Sequence, residues 1–288
     1  MEDRRPVAER RQDDGIDRWE TADAPPAAIL AGHVDRYGYY AEHIASFAAR
    51  RELAATCGVL IYALGDPLSI IGADGREIVL QAGEGFAGGI ADATSISRAL
   101  GPQRGVHIQM PLASLAAVIG APVAELANRV VPLADLIGKD ARDLGHRLGS
   151  AAQCHAQFDL LDAFLVRRLA DAPPPDRAVA WAITQLGRPG PPTVQALARE
   201  IGWSRKHLAQ RFAAVTGFSP QRYRSLARFE RFSAAIAARP DESLAMLAID
   251  AGYHDQPHMS REVQAFGAMT PGELRRRLLP GPGGVREA

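Results

Sequence analysis

The stretch LAREIGWSRKHLAQRFAAVTGFSPQRYR, from Leu197 to Arg224, returns in outline as LAIDAGYHDQPHMSREVQAFGAMTPGELR from Leu247 to Arg275. Leu197-Ala198 align with Leu247-Ala248, and Gly202-Trp203 with Gly252-Tyr253. After a one-residue insertion, His207-Leu208 align with His258-Met259, Ser219-Pro220 with Thr270-Pro271, and Arg224 with Arg275. Each copy spells a short helix, a turn after glycine, a second helix and a capped exit at proline. That is the logic of a helix-turn-helix unit.

In the first copy Val194, Leu197, Ala198 and Ile201 stand at i, i+3, i+4 and i+7 and make one apolar face. Gly202 suits a helix end that needs a left-handed residue, and Ser204 suits the cap of the next helix. That helix runs from about Arg205 to Val215. Leu208, Phe212 and Val215 point inward, and Arg205, Lys206, Ala209 and Gln210 stay on the outer face. In the second copy Leu244, Leu247, Ala248 and Ala251 form the inner face, Gly252 ends the helix, and Asp255 caps the next. Pro257 falls in its first turn, where a missing N–H costs little. Met259, Val263 and Phe266 face inward, and Gln256, His258, Ser260 and Arg261 remain outside. A recognition helix meets base edges with its N-terminal residues; Lys or Arg there donates to guanine and Gln reads adenine. Between the copies, Pro220 to Ala238 reads as one helix of about 28 Å. Successive major-groove faces on one side of a duplex lie roughly 34 Å apart.

Charge agrees with that reading. The whole chain is formally neutral, with 33 Lys and Arg against 33 Asp and Glu. From Gly190 to Leu279 there are 13 basic against 8 acidic residues, a surplus of +5, so the remainder carries −5. Basic charge concentrated in one half points to nucleic acid. The two cysteines, Cys57 and Cys154, have no metal-like spacing and read as small buried residues of a reduced compartment. The N-terminus, MEDRRPVAERRQDD, has no apolar signal core, and no apolar run reaches membrane length. A cytoplasmic protein is expected.

Residues 1–26 are polar and charged and read as a disordered extension. Residues 27–170 read as a second domain. GVLIYAL (Gly58–Leu64), the run Leu68–Ile71, IVLQAG beyond the Asp74-Gly75 hairpin signal, and GVHIQMPL (Gly105–Leu112) are short strands among Gly-rich turns. They suggest a small antiparallel barrel or sandwich. From Ala113 the pattern turns helical through LAAVIG, VAELANRV and a stretch from about Ala134 to Leu169. There Leu144, Leu148, His155, Phe158, Leu161 and Leu165 form one stripe, either packed on its own barrel or presented as a dimer seam. Residues 171–176, with Ala172-Pro173-Pro174-Pro175, read as a linker, 177–279 as the double helix-turn-helix domain, and 280–288 as a flexible tail.

From about Asp176 to Arg277 the chain resembles the AraC/XylS family of bacterial transcription regulators. The phrases GWSRKHLAQRF…GFSP and SLAMLAIDAGYHDQPHMSREVQAFGAMTPGELRR carry the resemblance. It implies a seven-helix DNA-binding domain with two motifs bridged by a long helix. By position, its base-reading slots are Arg205, Lys206, Ala209 and Gln210, then Gln256, Pro257, His258 and Arg261. The family usually has Ser at Pro257, Phe at Met259 and Val263, and Gly at Ala268, with Gly267 here preceding that slot. The first 170 residues resemble, more weakly, the cupin-like regulatory domain of such proteins, through LIYALGDPLSI, GEGFAGGI and ELANRVVPLADLIG. The implied fold is α+β: an N-terminal cupin-like β-barrel with trailing helices and a C-terminal all-α domain.

The implied partner is double-stranded operator DNA, with RNA polymerase and a small-molecule effector as further partners of a homodimer. Two alternatives stand beside this. One is a regulator governed by a protein partner without an effector. The other is a cupin-type metalloenzyme fused to a DNA reader, but His33, His43, His107, His146 and His155 include no His-x-His pair followed by Glu. A repair methyltransferase would need an activated cysteine. No catalytic residue, cofactor or metal is assigned. Gly83–Gly89 and the tyrosines Tyr37, Tyr39 and Tyr40 either border a pocket or serve turns and packing.

Overall fold

The computed structural model describes residues 5–170, 172, 174–279 and 284–287. In chain order the strands of the first half are β1 (Ala8–Asp13), β2 (Arg18–Ala24), β3 (Arg36–His43), β4 (Arg50–Glu52), β5 (Gly58–Ala63), β6 (Leu68–Ile71), β7 (Glu77–Leu80), β8 (Gly85–Gly88), β9 (Ser95–Ala99), β10 (Gln103–Met110) and β11 (Val130–Pro132). A last strand, β12 (Val285–Arg286), closes the chain. They form two antiparallel sheets, in the orders β1-β2-β3-β10-β5-β8-β11 and β12-β4-β9-β6-β7. Apolar residues from both sheets, among them Ile61, Phe86, Ile70 and Leu80, meet in one cluster between them.

Period-two alternation decides what each face of the larger sheet does. Tyr37, Leu60, Tyr62, Val106 and Ile108 are buried on the face turned to the helices. Tyr37 stacks on Phe158 at 5.6 Å, and its hydroxyl donates to Asp162 Oδ1 at 2.8 Å. The intervening residues Gly38, Tyr40, His107 and Gln109 face the other sheet. Gly38 is required where it stands, because a Cβ there would lie 2.1 Å from His107 Nε2.

Helices α1 (Leu112–Ile119), α2 (Leu133–Ile137), α3 (Lys139–Ser150) and α4 (Cys154–Leu169) cover the first face. The expected single helix from about Ala134 to Leu169 is thus three. Gly138, at φ 57° and ψ −124°, breaks it first. Gln157 Nε2 then donates to the Leu148 carbonyl at 3.2 Å and closes the end of α3. VAELANRV is likewise not a helix but a 3-10 turn, Val123–Leu126, followed by β11. Leu144, Leu148, Phe158, Leu161 and Leu165 of the stripe are buried within the domain, with none above 2% exposed, and His155 is half-buried. The stripe is core, and the dimer-seam reading of it is corrected.

Two further expectations are corrected. Residues 8–24, assigned to a disordered extension, form β1 and β2. β1 is a sheet edge exposed along its whole length, β2 buries Thr21, Ala22 and Ala24, and the two are held by backbone pairing from Ala8 opposite Asp23 to Asp13 opposite Arg18. Of the rest of that extension, residues 1–4 lie outside the described residues. The tail, assigned as flexible, places Val285 opposite Arg51 and Arg286 opposite Arg50 of β4; residues 280–283 and 288 lie outside the described residues, as do 171 and 173 of the linker.

The second half is seven helices: α5 (Arg177–Gly187), α6 (Val194–Ile201), α7 (Arg205–Thr216), α8 (Pro220–Ala238), α9 (Leu244–Ala251), α10 (Gln256–Gly267) and α11 (Pro271–Arg277). The expected bounds of α8 hold to the residue. The fold is α+β, a β-rich half followed by a helical one.

Candidate nucleic-acid interface and cavity

Each motif is set by its caps. In the first, Thr193 accepts from the Ala196 N–H at 3.1 Å and Ser204 from that of His207 at 3.1 Å. Gly202 turns the chain at φ 78°, a left-handed position that costs glycine nothing. Leu208, Phe212 and Thr216 bury one side of α7. Arg205, Lys206 and Gln210 are exposed on the other, with Ala209 half-buried between them. The Trp203 ring meets His207 edge-on at 4.6 Å.

The second motif repeats this plan. Asp255 accepts from the His258 N–H at 2.7 Å, and Gly252 turns at φ 94°. Met259, Val263 and Phe266 are buried; Gln256, Pro257, Ser260 and Arg261 are exposed. His258 departs from the expectation of a free outer side chain. It is half-buried, edge-on to Tyr253 at 5.5 Å, with Nε2 3.2 Å from Glu262 Oε1 and 3.1 Å from Arg228 Nη2. Arg228 also donates to both oxygens of Glu262, at 2.6 and 3.1 Å. Burial pushes the Glu262 carboxyl up, but the hydrogen bonds and charge of Arg228 outweigh it and hold it below the usual range. Sequence reasoning passed over this network because Arg228 lies 34 residues from Glu262.

The arginines of α8 are not a solvated face. Arg222 Nε donates to Asp92 Oδ2 at 2.6 Å and its guanidinium covers the Phe266 ring at 4.3 Å. Arg231 Nη1 donates to the Gly187 carbonyl at 2.8 Å. On the same helix, Glu230 Oε1 accepts from the Thr56 N–H at 2.9 Å, and its other oxygen accepts from the Thr56 hydroxyl. Burial raises the Glu230 carboxyl, and the Thr56 hydrogen bonds only partly offset it. The helical half is therefore seated on the β-rich half. Gly217 belongs to that seat: at φ 81° it lies where a Cβ would come 2.6 Å from the Ala127 Cβ. The tail adds a third contact, with Arg51 donating from Nε and Nη2 to Glu287, both at 2.6 Å.

Between the two sheets is a cavity of about 780 Å³. Its lining, drawn from both sheets, has an apolar part in Val59, Ile61, Leu68, Ile70 and Phe86 and a polar part in Tyr40, Glu42, Arg50, Glu52, Ser97 and His107. Of the three tyrosines only Tyr40 lines it; Tyr37 is core, and Tyr39 bonds Glu20 at 3.4 Å. Gly85–Gly88 is a strand, and Phe86, Gly88 and Gly89 border the cavity. His107 is held below its ordinary pKa by burial and by Arg36. Cys57 also borders the cavity, its thiol pushed up to about 11 by burial and by Glu230, and Cys154 is raised by burial too. Neither is an activated thiol. Among the described residues no group of three His, Cys, Asp or Glu is arranged to hold a metal ion, and no helix is long and apolar enough to cross a membrane.

A family model described as a helix-turn-helix domain matches residues 197–277. No curated protein matches the chain. Among solved structures, ToxT from Vibrio cholerae is 10% identical, with 83% of this chain and 98% of that one aligned at a TM-score of 0.51. ToxT bound to (E)-4-(8-methylnaphthalen-1-yl)but-3-enoic acid is 9% identical over 83% and 98%, at 0.50. The AraC-like transcriptional activator CuxR is 19% identical over 84% and 90%, at 0.32. At such identities the likeness to ToxT is one of fold, a β-rich half followed by a helical one. The paired, capped motifs on either side of α8 and the match over residues 197–277 lead to one assignment: the chain carries a helix-turn-helix domain.

Proposed function

We propose that the protein is a sequence-specific transcription regulator whose two motifs read operator DNA and whose β-rich half senses a small molecule. One observation carries this. Two matched helices, α7 and α10, bury Leu208 and Phe212, and Met259, Val263 and Phe266, on one side and keep Arg205, Lys206 and Gln210, and Gln256, Ser260 and Arg261, exposed on their outer N-terminal faces. Arg205, Lys206, Ala209 and Gln210 are the base-reading side chains of the first helix. Gln256, Pro257, Ser260 and Arg261 are those of the second, with His258 acting on the backbone side as part of the Arg228–Glu262 network. The working division is residues 8–170 as sensor, with β1 and β2 part of it, joined through the Pro-rich 171–176 linker to residues 177–279. A cytoplasmic homodimer that acts with RNA polymerase completes the reading, its seam lying elsewhere than on the α3–α4 stripe.

Three contacts support coupling between sensor and reader. Glu230 holds Thr56, which stands between the cavity-lining Ala55 and Cys57. Arg222 holds Asp92, next to cavity-lining Ala91 and bonded to cavity-lining Asn128 at 2.7 Å. The tail strand pairs with β4, whose Arg50 and Glu52 line the cavity. A ligand that moves this lining shifts the population of reader placements, to the extent that it binds one placement better than the other. ToxT, of the same fold, has been solved with a small organic acid bound.

Selection of bound duplexes from a random pool tests the function and yields the site. Binding should fall steeply with salt as counterions are released. On the selected site Arg261→Ala should cost about 1–3 kcal/mol and relax preference at one base position, and Lys206→Ala should do so about one helical turn away. An even loss across all single-base variants makes Arg261 a phosphate contact and removes α10 as a reader.

A further inference from the structure

The charged part of the cavity lining around Arg50 is lopsided. Arg50 Nη2 donates to Glu42 at 2.7 Å, with the two side chains only 14% and 8% exposed, so that nitrogen is committed, while the buried Arg50 Nε has no partner among the described residues. Glu52, on the same inward face of β4, receives only the Ser97 hydroxyl, at 3.0 Å on Oε1. Among the described residues nothing donates to Glu52 Oε2, and the hydroxyl of neighbouring Tyr40 has no partner. Two carboxylates therefore share one cation. Burial lifts the Glu52 carboxyl above its usual range, and Arg50 only partly offsets this.

No other cation repairs the balance. Arg10 and Arg36 flank Asp23 at 2.9 and 3.7 Å, with side chains 59% and 51% exposed, and so belong to the rim. Arg129 lies 3.9 Å from Asp74. His107, on the facing strand, is kept toward its neutral form by burial. A buried carboxylate without a countercharge is costly, and a cationic ligand removes that cost. A ligand acid would meet Glu42 and Glu52 as like charges. A ligand polar all round would waste the apolar lining.

We propose that this cavity takes an amphipathic organic amine, its protonated nitrogen on Glu52 and over the Tyr40 ring and its hydrocarbon body along Val59, Ile61 and Phe86. The aromatic face of Tyr40 adds to the attraction for an ammonium. The assignment rests on the reading of the β-rich half as a sensor, and it gives that sensor a ligand of opposite charge to the acid seen on ToxT.

Calorimetric titration of the full chain with hexylamine, hexan-1-ol and hexanoate, near neutral pH, tests it. The amine should bind about ten-fold or more tightly than the alcohol, since a charge-assisted hydrogen bond exceeds a neutral one by that order, with hexanoate weakest. Glu52→Gln should erase the amine's advantage and leave the alcohol within about two-fold, which also shows that the cavity is intact. Ile61→Trp, which fills the space along the apolar lining, should remove binding of all three. Hexanoate binding as well as hexylamine, no member of the series binding, or an amine titration unchanged by either variant overturns the proposal. Operator binding measured without amine is a separate readout. Its failure strikes the regulator reading and leaves the titration standing.

Discussion

The two helix-turn-helix copies share a backbone plan but not a setting. At matched positions, four residues beyond the paired histidines, the first copy has Arg211 and the second Glu262. Arg211 reaches Asp176 at 2.7 Å in a surface pair with the arginine 52% exposed. Glu262 holds Arg228 at 2.6 Å with both side chains nearly buried, 13% and 10% exposed. The first copy leans on the β-rich half through Gly217 and the turn Val123–Leu126, whereas the second is tied mainly to α8. The same motif is thus stabilised from outside in one case and from within in the other. The first stands where the sensor can press on it directly, at Gly217.

The largest expected difference between the copies follows from burial. Arg228→Met leaves Glu262 buried without a countercharge and should cost about 3 kcal/mol in chemical denaturation. Arg211→Ala should cost about 0–1 kcal/mol, because an exposed pair is worth little. Replacing Arg228 and Glu262 together by methionine should recover most of the loss, as buried pairs often exchange for apolar groups at little cost. Equal effects of Arg228→Met and Arg211→Ala would erase the distinction between an internally and an externally held motif.

Next in size is the seat of the first copy. Gly217→Ala meets both a left-handed φ of 81° and a 2.6 Å approach to Ala127. It should cost about 2 kcal/mol or more and loosen the interface, seen as faster hydrogen exchange at the Thr56 amide. Gly202→Ala and Gly252→Ala, at φ 78° and 94° with open space around the new Cβ, should cost about 1 kcal/mol each. If Gly217→Ala costs no more than these, the first motif is not seated on the sensor.

Acidity should separate the two settings as well. Glu230, in the interdomain contact, has a raised folded pKa, so its contribution is largest below its unfolded value near 4.5 and fades as pH rises through the folded value. Glu262 has a lowered folded pKa, so its contribution is present above about 4.5 and is lost as pH falls through the folded value. Between neutral pH and pH 5, wild type should therefore gain melting temperature relative to Glu230→Gln. The gap between wild type and Glu262→Gln should stay constant there and close only at lower pH. Parallel melting curves for wild type and Glu230→Gln over the whole range would remove Glu230 as a titrating contact.

The helical half was legible in sequence because its signals are local. The glycines at 202 and 252, the caps Ser204 and Asp255, and the period of Leu197, Leu247 and their neighbours all act within one or two turns. The α7 and α10 faces follow from the same periodicity. What stayed hidden depends on distant partners. β1 is exposed along its whole length and becomes a strand only because β2 lies beside it. The tail becomes one only because β4 offers a distant edge, with Val285 opposite Arg51 and Arg286 opposite Arg50. Leu144 and Phe158 announced an apolar stripe correctly, but a stripe does not say whether its cover belongs to the same chain. His258 illustrates the limit at the site. Its position on α10 was readable, while its partner Arg228 lies 30 residues away.

The smallest effect probes the exits of the two reading helices. The first copy leaves α7 through Gly217, as glycine permits. The second leaves α10 through Ala268, at φ 56°, one residue after a glycine that stays helical. Alanine in the left-handed region carries a penalty of about 1–2 kcal/mol that glycine does not. Glycine in turn loses more freedom on folding, by about 0.5–1 kcal/mol. Ala268→Gly should therefore stabilise the protein by about 0.5–1 kcal/mol, the difference of the two. The side chain at 268 is exposed, so no packing is lost with its methyl. The matching change in the first copy, Gly217→Ala, must destabilise by more than this gain, because there a neighbouring chain segment also occupies the space. Denaturant midpoints that move the same way for both variants would mean that the two exits do not share a left-handed geometry.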